Sequence, residues 1–227
     1  MDMGNPRLLT GRIAYLDADG GSTGFELFSI TAHADGSRTL SAHCEMHDDA
    51  LVRDALLALD ADARPVEAFI RVTEQDRWMG SAHFRRGVTG TLATLSGPDS
   101  DVAADLPGEV DYFGTHALLN DGWVALAGGD LAPGESCTVR GATCSHQANG
   151  GGVPALMASD AVLTRFADET VTVAAGTFDC QHWTVAYQGH TPIDMWTTGL
   201  DAVLVLMSWD HLAGRYELAE MTDSPPR

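Results

Sequence analysis

Positive charge is scarce in this sequence. Lys and Arg total 13 against 32 Asp and Glu, for a formal net charge of −19. Such a chain repels phosphate backbones and anionic lipid headgroups, so neither nucleic acid nor a membrane is an expected partner. Long apolar runs are missing as well, and nothing approaches the ~18 residues a membrane-spanning helix needs. The opening residues, MDMGNPRLLTGRIAYL, lack a basic flank followed by an apolar stretch. No secretory leader is therefore expected, and the cytoplasm is the expected compartment. Cysteine is sparse. Cys44, Cys137, Cys144 and Cys180 form no C-x-x-C pair, which argues against a thiolate zinc site. Reduced thiols are expected, although Cys137 and Cys144 could bridge a loop were the chain exported. Nucleotide signatures are absent: there is no GxGxxG or GxxxxGK[ST]. The Gly150-Gly151-Gly152 run lacks a following Lys and reads as a flexible loop.

What is present is β pattern. The 227 residues, 44% of them apolar, suffice for one large β domain, and we read residues 1–227 as a single one. Asp19-Gly20-Gly21 and Asp35-Gly36 mark turns between alternating segments at 12–16, 25–30 and 38–46. Residues 65–74, 78–86 and 88–95 continue the series. Residues 48–59 fit a helix capped by Asp48 or Asp49. They also fit a strand with Leu51, Ala55, Leu57 and Leu59 on one side and Arg53 as the exception, and strand neighbours on both flanks favour the latter. Residues 96–155 are rich in Gly, Pro, Asp and Ser and read as a long insert with one short helix within 115–127. Strands resume near 156 and run to about 221, and residues 222–227 are expected to fray. The fold class is mainly β: a curved antiparallel sheet forming a half-barrel or barrel, with the insert over its open face.

Val173-Ala174-Ala175-Gly176-Thr177-Phe178-Asp179-Cys180, then Asp194-Met195-Trp196, Val203-Leu204-Val205 and Tyr216-Glu217-Leu218, resemble the last strands of one group. These are the half-barrel proteins related to periplasmic lipoprotein carriers, which include a bacterial family of unknown function and the violacein-pathway enzyme. The resemblance implies a curved sheet whose concave face holds a hydrophobic ligand. It carries over no catalytic residue.

The candidate site residues lie mostly in the insert. His116 follows Phe113-Gly114 and precedes Asn120-Asp121-Gly122-Trp123. With Tyr112 and His146 it would form an acid/base set working near neutral pH. Trp78, Trp123, Trp196 and Asn149 are candidate substrate contacts, since Trp lines ligand cups as well as cores. Arg71 and Asp194 are charges in apolar strands, which would contact a ligand if they faced inward. His43, Glu45 and His47 share one strand face and have metal-ligand chemistry, but the outer two stand roughly 13 Å apart on a straight strand, so no metal is assigned.

Three functions remain. The favoured one is a cofactor-independent lyase or isomerase acting on a hydrophobic or aromatic small molecule. The second is a carrier of such a molecule, and the third is a metal-dependent enzyme. A homodimer is compatible with each.

Overall fold

The computed structural model describes residues 6–209 and 214–224. Eight strands open the chain as a meander: β1 (Arg7–Leu16), β2 (Ser22–Ala32), β3 (Arg38–Met46), β4 (Leu51–Leu59), β5 (Pro65–Glu74), β6 (Arg77–Arg86), β7 (Gly90–Ser96) and β8 (Asp101–Pro107). A short β9 (Tyr112–Gly114) leads into helix α1 (Leu118–Val124) and a 3-10 turn (Ala125–Gly128). Seven more strands follow: β10 (Ser136–Thr143), β11 (Met157–Arg165), β12 (Glu169–Val173), β13 (Gly176–Tyr187), β14 (Ile193–Thr198), β15 (Val203–Trp209) and β16 (Gly214–Ser224).

The strands form one curved, unclosed sheet in the order β8-β7-β6-β5-β4-β3-β2-β1-β16-β15-β14-β13-β11-β10-β9, with β12 paired to the near half of β13. Every pairing is antiparallel except β9 with β10. The seam is the pairing of the first strand with the last, β1 with β16, where a register shift falls between Arg12 and Ile13.

Side-chain alternation sets the inner face. β2 buries Gly24, Glu26, Phe28 and Ile30, while β4 buries Leu51, Arg53, Ala55, Leu57 and Leu59. Residues 51–59 are therefore strand, the reading favoured above. The turns use the residues that turns require. Asp17 Oδ1 accepts from the Asp19 and Gly21 amides, and Gly20 (φ 84°) supplies the left-handed step.

The sheet curls until its two halves face each other. Phe84 of β6 meets Phe113 of β9 edge-on, with ring centroids 5.8 Å apart. Both side chains are fully buried, and burial of this kind stabilises by ~1.5–3 kcal/mol per side chain. Six of the seven residues of α1 are buried, so the helix lies within the fold.

Two expectations are corrected. The stretch 96–155 is not strandless, because β8, β9 and β10 lie in it. β8 is a mostly exposed edge strand whose alternation is blurred. β10 is built of small residues because the Tyr112 ring lies against Gly141, where a Cβ would come within 2.1 Å of it. The tail does not fray at 222, since Thr222, Asp223 and Ser224 pair with β1. Residues 225–227, like the start of the opening segment, lie outside the described residues.

Candidate functional site

A polar band crosses the inner face of the meander. Ile13, Glu26, Cys44 and Arg53 are successive cross-strand partners on β1, β2, β3 and β4. Glu26, Cys44 and Arg53 are wholly buried, and a buried charge is tolerated only when it is paired or hydrogen-bonded. Glu26 accepts from the first amides of α1, with Leu118 N at 2.6 Å and Leu119 N at 3.0 Å, and from the Cys44 thiol at 3.3 Å. Arg53 donates to the carbonyls of His116, at 2.5 Å, and Asn149. The two charges thus hold both ends of the 116–149 segment to the meander. Burial pushes the Glu26 carboxyl up, while the α1 amides pull it back. At its other end α1 is held by Trp123, whose indole N–H donates to the Asp201 carbonyl at 2.8 Å. Asp201 is itself paired with Arg7 and Arg38.

Between this anchored segment and the strands β9–β16 lies a cavity of about 340 Å³, within the lower range of small-molecule sites. Met46, Val185, Ile193, Met195, Met207 and Trp209 supply apolar lining. Tyr112, Tyr187, Tyr216, His116 and Asp121 supply polar lining. His146, Gln147, Asp160 and His190 also line it.

Asp121 is the group that sequence reasoning missed. It sits on the first turn of α1. Among the described residues its carboxyl has no hydrogen-bond or ion-pair partner. Burial first, and the Glu26 charge second, push it up to about 7 against the opposing pull of Arg53. Its charge is felt at all three cavity tyrosines. The available signal was a carboxylate inside an otherwise apolar helix, Leu118-Leu119-Asn120-Asp121-Gly122-Trp123-Val124.

His116 occupies a left-handed backbone conformation (φ 58°). Its Nε2 lies 3.0 Å from the Ser145 carbonyl, so that nitrogen carries the proton and Nδ1 the lone pair. Burial, and then the Arg53 cation, lower it to about 4. At neutral pH it is therefore an uncharged imidazole rather than an acid. Tyr112 donates to the Ser159 carbonyl, and burial raises its phenol to about 12. Tyr216 rises to about 12, and Tyr187 is raised as well, both chiefly by burial. All three hydroxyls remain protonated donors near neutral pH.

The structure brings His116, Tyr112 and His146 together on one cavity. The other sequence candidates lie elsewhere. Asn149 spends its carbonyl on Arg53 and its side-chain amide on Asp49. Trp123 is core, tied to Asp201. Trp78 stands 40% exposed, and Arg71 is exposed on the outer face of β5. Trp196 and Asp194 belong to an outer stack, in which the His182 ring lies between Phe166 and Trp196 with Asp194 2.8 Å from its Nε2. The Trp that does line the cavity is Trp209.

His43 and Glu45 do share a face of β3, the outer one, while His47 stands just past the strand, in the turn after Met46. There Glu45 lies 3.3 Å from His43 and 3.7 Å from His47, and Asp54 lies 2.7 Å from His43. The carboxylates, Asp54 first, raise the His43 pKa. Among the described residues no His, Cys, Asp and Glu group has the geometry of a metal site. The four cysteines are free thiols, so Cys137 and Cys144 close no loop. The Gly-rich run is not loose where it meets the clamp: Gly150 (φ 67°) is buried, and a Cβ there would come within 2.6 Å of Arg53 and His116.

A curved sheet wrapped around an anchored helix and a small half-polar hollow defines a β-barrel-like protein. In that class the chain is similar to the β-barrel-like DUF1849 protein, a domain of unknown function, from Brucella abortus. The two share 13% identity over 98% of this chain and 99% of that one, with a TM-score of 0.59. It is also similar to a DUF1089 family protein from Pseudomonas aeruginosa, at 13% identity over 85% and 91% of the two chains and a TM-score of 0.53. At such identity the likeness carries the fold alone. No family model matches the chain, and no curated protein matches it.

Proposed function

We propose that this protein binds a small, largely apolar or aromatic molecule in the cavity between α1 and strands β9–β16. The observation that carries the proposal is Asp121. A carboxyl without a partner costs stability in an interior, and here it faces a hollow otherwise walled by methionines, aliphatic side chains and aromatic rings. A site that orients a ligand has this composition, mostly apolar with a few polar groups. The acidic surface suits a small-molecule partner and disfavours nucleic acid.

A direct test uses Nile red, an uncharged apolar dye, followed by fluorescence. Binding should saturate at one dye per chain and be lost in Met207→Trp, which fills the hollow. Dye binding that survives this substitution would refute the assignment.

A second reading keeps the cofactor-independent lyase or isomerase, with Asp121 rather than His116 moving the proton. It is favoured by the one carboxyl held near 7, where a general acid/base works best. Against it, His116 is held uncharged and the three phenols are raised, so Asp121 lacks a complementary partner. Deuterium incorporation into a bound ligand in D2O, stopped by Asp121→Asn, would decide for the enzyme.

A further inference from the structure

The sign of the charges around the cavity narrows the ligand class. Among the described residues neither Arg nor Lys lines it, whereas Asp121 and Asp160 do. Arg53 is the buried cation whose charge reaches Asp121, and its guanidinium donates to the backbone carbonyls of His116 and Asn149. An anionic ligand would therefore meet two carboxylates and, among the described residues, no Arg, with the His146 and His190 imidazoles as the remaining basic groups on the lining. Tyr112, Tyr187 and Tyr216 all lie close enough to Asp121 to feel its charge, and Trp209 adds a fourth ring to the lining. A carboxylate in a cavity lined by four aromatic side chains offers an organic cation both a counter-charge and rings for cation–π contacts. The methionine and aliphatic lining accommodates an uncharged body.

We propose that the ligand is an organic cation, an alkylammonium group on an apolar or aromatic body, whose nitrogen pairs with Asp121 in the tyrosine-lined cavity. This rests on the binding reading above and names its ligand class. His116 is uncharged and does not compete for Asp121, while the net charge of −19 draws cations toward the protein.

The experiment is isothermal titration of the wild-type protein at pH 8 with three probes that share one body: 4-phenylbutylammonium, 4-phenylbutanol and 4-phenylbutyrate. The ammonium should bind roughly tenfold or more tightly than the alcohol, and the carboxylate should not bind. Asp121→Asn should bring the ammonium down to the alcohol's affinity. The wild-type series needs no variant, so a misfolded Asn protein would not spoil it. If alcohol and ammonium bind equally, or the carboxylate binds best, the cation proposal is wrong while the binding reading stands. If none of the three binds and Nile red does not bind either, both fail.

Discussion

Replacing Asp121 by Asn should stabilise the folded protein above neutral pH, although it alters a half-buried side chain. The Asp121 carboxyl titrates at about 7 in the fold, against 3.8 in an unperturbed chain. The sign follows from which state holds the proton. Below 3.8 both states are protonated and the group is neutral in its effect. Between 3.8 and 7 the unfolded chain releases the proton and the folded one keeps it, so stability falls as pH rises, by ~1.4 kcal/mol per pH unit. Across that window the loss reaches about 4 kcal/mol before the cavity's own solvent reduces it, and roughly 2–4 kcal/mol is the working range. Asn has nearly the same shape and never carries the charge, so the loss disappears in the variant. Urea unfolding of both proteins at pH 5, 6, 7 and 8 measures the difference. The gain should already be roughly a third of its full value at pH 5 and grow to that full value by pH 8. The buried Glu26 carboxyl is raised too, so part of the falling slope will remain. An Asn variant that is no more stable than the parent at pH 8 would refute the reasoning.

Three further outcomes follow from the same geometry. Glu26→Leu leaves the Arg53 charge buried and two α1 amides unpaired, and should cost ~3–5 kcal/mol in urea. The double variant Glu26→Leu/Arg53→Leu should cost clearly less than the sum of the singles. Gly141→Ala puts a methyl within 2.1 Å of the Tyr112 ring; it should destabilise by ~1–3 kcal/mol and weaken Nile red binding. Trp196→Ala removes a ring from the outer stack around His182 and should leave dye binding unchanged.

Much of the fold could be read from residue order because the inner face of the meander obeys a strict period of two. The same alternation flagged Arg53 as the misfit of its strand, and Arg53 proved to be half of the clamp that holds the insert. Its partner Glu26 was equally visible on the apolar phase of β2, but a glutamate between Phe25 and Leu27 reads as outward unless the phase is fixed first. β10 escaped notice for a packing reason. It must be small where the Tyr112 ring lies on Gly141, and small polar residues look like loop. The candidate site was legible in part. His116, Tyr112 and His146 do line one cavity, because the loops that carry them are tied down beside the curved sheet. Trp196 and Asp194 looked like pocket residues because strand position alone does not tell the inner from the outer face. Asp121 was passed over because the property that marks it, the lack of any partner, belongs to three-dimensional packing.

The most direct test of the account is the titration of the Asp121 carboxyl itself, followed by carbon-detected NMR on aspartate-labelled protein with Asp121→Asn for assignment. The account predicts a midpoint near 7 in the free protein and a lower one when 4-phenylbutylammonium is bound. A midpoint near ~3.9, the ordinary aspartate value, would mean that the carboxyl is solvated or already paired, and would contradict it.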